Sequence, residues 1–186
     1  MSNFVRTLLK ICIFISSYIP IILLIFIQNM RELSLVEIKN TFTQYKIIWL
    51  ILVALMIISF TGLCLWLKYI KRTFSDSNRR LHAITDIKGY NGEILNFFVT
   101  YIVPLLALDL NSSTSIVVNL LLVIMNSIYF IRNDYLYYNM LLILLGYNIF
   151  ESSEGYIIIS KKDKFEIINK SLKAVQIGTS NLFYID

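Results

Sequence analysis

The run from Ile47 to Leu67 contains no charged residue and is long enough to cross a bilayer core, which takes about 20 apolar residues in a helix. Trp49 near its start and Trp66 near its end, followed by Lys68, stand where aromatic and basic side chains meet the two membrane–water interfaces. Such a segment must lie in lipid or in a large protein core. With 57% of 186 residues hydrophobic, 16% charged and a mean hydropathy of +0.68, the chain has too little polar surface for the second option. The sequence therefore predicts an integral membrane protein.

Three more apolar runs fit the same reading. Ile11 to Ile27 follows Arg6 and Lys10 and contains Pro20, which a membrane helix tolerates. No small-residue cleavage site follows it, so it reads as a retained helix rather than a signal peptide. Ile94 to Leu110 and Ile116 to Ile131 flank the turn Asn111-Ser112-Ser113-Thr114 and read as a helical hairpin. The expected fold is a membrane all-α bundle of four transmembrane helices, spans about 11–27, 47–67, 94–110 and 116–131 within residues 1–132. Residues 133–186 form a small C-terminal cytoplasmic β-rich (α+β) tail. Its strand-like runs are Tyr156–Ile159, Phe165–Ile168 and Leu182–Ile185, in a sheet of roughly three or four strands. Ser34 and Glu37 have capping-box spacing, which predicts a short surface helix between the first two spans.

Charge sets the orientation. The loop 68–93 carries Lys68, Lys71, Arg72, Arg79, Arg80 and Lys88 against Asp76, Asp86 and Glu93, and positive loops stay in the cytoplasm. The N- and C-termini then share that side of the membrane. A fifth crossing between Tyr135 and Phe150 would export Lys161, Lys162, Lys164, Lys170 and Lys173, so this stretch reads as a cytoplasmic hinge. Cys12 and Cys64 lie inside apolar runs and are not expected to form a disulfide.

Polar residues at membrane depth are the first functional candidates. Glu93, Asn96, Thr100 and Pro104 recur at helical spacing, with Asp109 at the far end; Ser112, Ser115, Asn119, Asn126 and Asn133 make a matching stripe. Such stripes line a wet cavity or ion path, or join helices as an oligomer seam, and sequence leaves both open. Arg72, Arg79, Arg80 and Lys88 are candidates for lipid or partner contact. The five tail lysines, beside strands with open edges, are the preferred partner-docking element. No catalytic, cofactor or metal site is expected: His82 is the single histidine, no phosphate loop occurs, and Glu93 and Asp109 stand sixteen residues apart, about 24 Å along a helix. Direct nucleic-acid binding is not expected.

The stretch Glu93-Ile-Leu-Asn-Phe-Phe-Val-Thr-Tyr-Ile-Val-Pro-Leu-Leu-Ala-Leu-Asp109, and then Asn139-Met-Leu-Leu-Ile-Leu-Leu-Gly-Tyr-Asn-Ile-Phe-Glu151, are similar to the KwaA family. These are the small membrane subunits of the Kiwa anti-phage defence system. The resemblance implies a non-enzymatic sensor that forms a homo-oligomer in the inner membrane, registers phage attack at the envelope and engages a cytoplasmic DNA-binding effector, KwaB. The alternative on the residues alone is a small oligomeric ion channel or pore-forming effector.

Overall fold

A computed structural model describes residues 3–75, 81–83, 86–133, 135, 137–177 and 181–186. The chain forms two compact units. The first comprises Met1–Leu63 with Phe97–Leu136, the second Cys64–Asn96 with Tyr137–Asp186.

The first unit begins with α1 (Asn3–Ser16) and α2 (Ile19–Gln28), two apolar helices bent by 40° at their junction. Pro20 sits in the first turn of α2, where its missing N–H costs nothing. At the end of α1 the Ser16 and Ser17 hydroxyls donate to the Ile13 and Phe14 carbonyls at 2.7 and 2.6 Å, supplying partners to acceptors of its last turn. The expected surface helix is present as α3 (Leu35–Gln44), with Ser34 Oγ accepting the Glu37 N–H. Helix α4 (Lys46–Ser75) follows after one residue.

The expected third span differs. It opens as α5 (Asn91–Phe97), widens to a π-helical turn over Phe98–Ile102 and tightens to a 3-10 turn over Val103–Ala107. Pro104 has no amide to give the carbonyl four residues back, at Thr100, so an even α ladder cannot run through this stretch. Helix α6 (Ser113–Arg132) completes the unit. Among the described residues, α4 and α6 are each long and apolar enough to cross a membrane, and the bent pair α1–α2 qualifies if it acts as one span. Four regular spanning helices are more than these elements supply. The unit is packed by aromatic contacts: Phe14 stacks on Phe130 at 5.6 Å, Phe97 meets Phe130 at 4.4 Å, and Phe26 meets Trp49 edge-on at 4.8 Å.

The second unit is built on a six-stranded sheet in the order β1-β5-β6-β4-β3-β2. The strands are β1 (Leu81–Ala83), β2 (Ile87–Gly89), β3 (Asn148–Ser152), β4 (Ile157–Ser160), β5 (Lys173–Gln176) and β6 (Leu182–Ile185). Strands β4 and β6 pair in parallel and the other pairs are antiparallel. Two corrections follow. The sheet has six strands rather than three or four, because β1 and β2 come from the basic segment expected to be a loop and form both edges. The tail strands β3 to β6 are therefore interior and do not present open edges.

Phe165–Ile168 is not a strand. It lies in helix α8 (Lys164–Asn169), where the Asp163 carboxylate accepts the Glu166 N–H at 2.7 Å and so caps the first turn. Ile167 enters a core with Ile87, Phe150, Ile158, Ala174, Phe183 and Ile185, which the strand registers place on one face of the sheet. The opposite face buries Ile149, Ile159, Val175 and Tyr184, and Phe74 from the end of α4 meets Tyr184 edge-on at 5.8 Å.

The sheet must curl. Six strands laid flat would hold β1 and β2 about 24 Å apart at the usual strand spacing. The chain from Ala83 to Ile87 takes four Cα steps, a reach of about 15 Å. The two edges therefore approach each other around the core.

The segment 135–150 is not one long helix. It holds the five-residue α7 (Met140–Leu144), capped by the Asn139 side chain and stopped by Gly146 at φ +81°. Tyr147 N–H returns to the Leu142 carbonyl at 3.0 Å and Gly146 N–H to Ile143 at 2.9 Å, a Schellman stop that leads directly into β3.

Candidate functional site

The polar residues of the bundle are engaged mainly with their own backbone. Asp109 and Ser115 come together at the start of α6: the Asp109 N–H donates to Ser115 Oγ at 3.0 Å, and Asp109 Oδ1 accepts the Asn111 N–H at 2.9 Å. Ser112 Oγ caps the helix by accepting the Ser115 N–H. The Tyr45 hydroxyl donates to Asn111 Oδ1, tying the α3–α4 corner to this turn. These contacts build a helix start.

Along α6, the Asn119 amide donates to the Ser115 carbonyl at 2.9 Å and Ser127 Oγ to Val123 at 2.8 Å. Asn126 is half-buried and faces the hydroxyl of buried Tyr18. Glu93, Asn96 and Thr100 are exposed. Glu93 and Asn96 stand on α5, whereas Thr100 falls in the π-helical turn.

The basic candidates divide. Arg72 is exposed in the last turn of α4, and Lys88 is exposed on β2 opposite Glu151. Arg79 and Arg80 lie outside the described residues. In the tail, Lys161 Nζ sits 5.1 Å over the Tyr147 ring, while Lys162 and Lys170 both approach Glu166 Oε1, at 3.8 and 2.9 Å. Lys164 and Lys173 are exposed.

Sequence reasoning missed Phe165, which stands 75% exposed on the outer face of α8 amid these lysines. Read as a strand residue it would alternate into the core; the Asp163 cap is the signal for a helix that turns it outward. A second unexpected group, Leu33, Leu35 and Val36, is exposed at the tip of α3.

Two half-buried tyrosines pair in the second unit. The Tyr90 and Tyr138 hydroxyls are 2.7 Å apart. Burial, that bond and the nearby Glu93 carboxylate hold the Tyr138 hydroxyl above the ordinary tyrosine range. Burial and the hydrogen bond donated to Asp186, at 2.9 Å, push Tyr184 the same way. Among the described residues, no group of three or more His, Cys, Asp or Glu side chains is placed to hold a metal ion.

The family model described as anti-phage protein KwaA matches residues 9–184, reaching from α1 to β6. The chain belongs to the KwaA family. No curated protein and no solved structure matches it. Family membership makes it an anti-phage defence protein, with two apolar helices suited to a membrane-associated subunit. The KwaA match takes in both units, so the α8 surface and the bundle belong to the same family unit.

Proposed function

We propose that this chain is the membrane-embedded sensor and scaffold of an anti-phage defence complex. It registers infection at the envelope through its bundle, assembles as a homo-oligomer and engages a cytoplasmic DNA-binding effector through its sheet unit. The observation that carries this reading is the pairing of β2 with β3. Residues 87–89 and 148–152 share one sheet and hence one side of a membrane, so the chain between them crosses an even number of times. If α6 crosses, the broken segment Asn91–Ala107 is its return partner, a discontinuous span of the kind tolerated where neighbouring protein covers the irregular backbone. That parity supports four crossings. It also supports one cytoplasmic side for the basic segment and the tail, in agreement with their charge.

Helix α4 supplies residues to both units without a break, Lys46 to Leu63 to the bundle and Cys64 to Ser75 to the sheet, and so offers a continuous element for passing a displacement inward. The docking surface is α8. An exposed Phe165 among lysines suits a partner with an apolar pocket rimmed by carboxylates, since a few buried aromatic anchors carry most interface energy and rim charges steer encounter.

The test is capture of the effector by full-length chain carrying Lys164→Glu and Phe165→Ala. At least a tenfold loss of capture is expected, with membrane insertion and anti-phage protection in the parent chain as controls. Undiminished capture would remove α8 from the interface. Ending the chain after Glu151 is a poor substitute, because it removes β4, β5 and β6 from the sheet.

A further inference from the structure

Leu33, Leu35 and Val36 are 84%, 85% and 69% exposed. Lipid-facing aliphatics along α6, such as Val117 and Leu121, are 54% and 53% exposed, so the α3 tip stands farther out than a helix flank does. Ser34 Oγ accepts the Glu37 N–H at 3.2 Å, which fixes Leu35 and Val36 in the first turn of α3 rather than on a loose loop. We propose that Leu33, Leu35 and Val36 form an apolar wedge seated among the lipid headgroups and upper acyl carbons of the leaflet reached between α2 and α4.

The tether selects lipid as the occupant. Leu33 lies five residues beyond the end of α2, a reach of about 18 Å at most, and α3 joins α4 through Tyr45 alone. Beyond the other end of α3, the first turns of α4 also expose Ile47, Leu50 and Ile51. From Arg31 to Lys46, three basic residues (Arg31, Lys39, Lys46) stand against two acidic ones (Glu32, Glu37), which gives a charged protein partner no dominant sign to recognise. A headgroup layer offers both signs around an apolar insertion. A wedge in that layer responds to lateral packing, so it names the element by which the proposed sensor would register a disturbed envelope; the inference rests on the membrane reading above.

The test uses the full chain with Cys12→Ala and Cys64→Ala, carrying a single environment-sensitive fluorophore at Leu35→Cys, Asn40→Cys or Ile58→Cys. It is reconstituted in vesicles of phosphatidylethanolamine and phosphatidylglycerol. The label at position 35 is expected to be quenched by headgroup-level spin-labelled lipid and to be several-fold less sensitive to iodide than the label at 40. Quenching at 58 by deep spin-labelled lipid reports the membrane reading separately. Quenching at 58 with none at 35 would overturn the wedge alone, and shielding of 35 from both quenchers would assign the tip to a second protein surface. Absence of lipid quenching at all three positions would overturn both readings.

Discussion

A Cβ placed on Gly62 of α4 would lie 2.6 Å from the Cys12 Cβ of α1 and 3.3 Å from its Sγ. The two helices meet where position 62 has room for a hydrogen and nothing larger. Gly62→Ala is expected to force them apart and destabilise the bundle by about 1–3 kcal/mol, the usual cost of overpacking. Unfolding in detergent measures it. Because the obstructing atom is the Cys12 Cβ, Cys12→Gly should relieve the clash and Cys12→Ala should not. Equal loss in both backgrounds would place the obstruction elsewhere.

Helix α8 ends with Ser171 at φ +47°, in the left-handed region, while the N–H groups of Ser171 and Leu172 return to Ile168 and Ile167. Helix α7 ends the same way with Gly146. A side chain strains that position, so Ser171→Gly should stabilise the sheet unit by about 1 kcal/mol and Gly146→Ala should weaken it by about as much. Urea unfolding of the full chain reads both, and a loss of stability in Ser171→Gly would contradict the account.

Asn91 joins three stretches of chain. Its Oδ1 accepts the Ile149 N–H at 2.9 Å and its Nδ2 donates to Asn148 Oδ1 at 3.2 Å, while Asn148 Nδ2 donates to the Lys162 carbonyl at 3.3 Å. Asn91→Ala leaves the Ile149 amide without its acceptor and should cost about 1–3 kcal/mol. Asn91→Asp keeps that acceptor and should cost less. Limited proteolysis of the tail ranks the two; equal protection of both variants would show that Asn91 is not a tie.

The tyrosine pair predicts an alkaline limit. An unfolded tyrosine releases its proton near pH 10.0, whereas Tyr138 in the folded chain holds it to higher pH. Above that value the unfolded chain binds fewer protons than the folded one, so stability is full below about pH 10 and falls as pH rises toward the folded value. Tyr184 contributes with the same sign. Circular dichroism melts should show a midpoint that drops above about pH 10, less steeply in Tyr138→Phe. An unchanged slope would leave Tyr138 without a part in it.

What the sequence conveyed well was regular and local. The uncharged run ending at Trp66 lies within α4, Ser34 and Glu37 marked the start of α3, and the run from Ile116 lies within α6, because each signal resides within a few turns of one helix. The break within the third segment was not legible, because Pro104 interrupts the hydrogen-bond ladder while the hydropathy continues through it. Strands β1 and β2 were not legible: each is three residues long, and Ile87, one of the core residues, stands between Asp86 and Lys88. Their pairing partners lie more than sixty residues away, where no local pattern reaches. Phe165 was misplaced because Phe-Glu-Ile-Ile fits a strand by composition, and the Asp163 cap that decides otherwise precedes it. The KwaA resemblance was legible in two stretches that the structure builds as the broken helix and as α7 with β3.

The place of β6 bears on how the protein is made. Residues 182–185 occupy the middle of the sheet, between β4 and β5, although every other strand precedes them in the chain. During translation β1 and β2 emerge before α6 and must wait for the strands that lie beyond it. The sheet cannot close until β6, the last of its strands in chain order, has been made. A ribosome that stalls before this point leaves β4 and β5 without the strand that joins them, and so two exposed edges in what becomes the middle of the sheet.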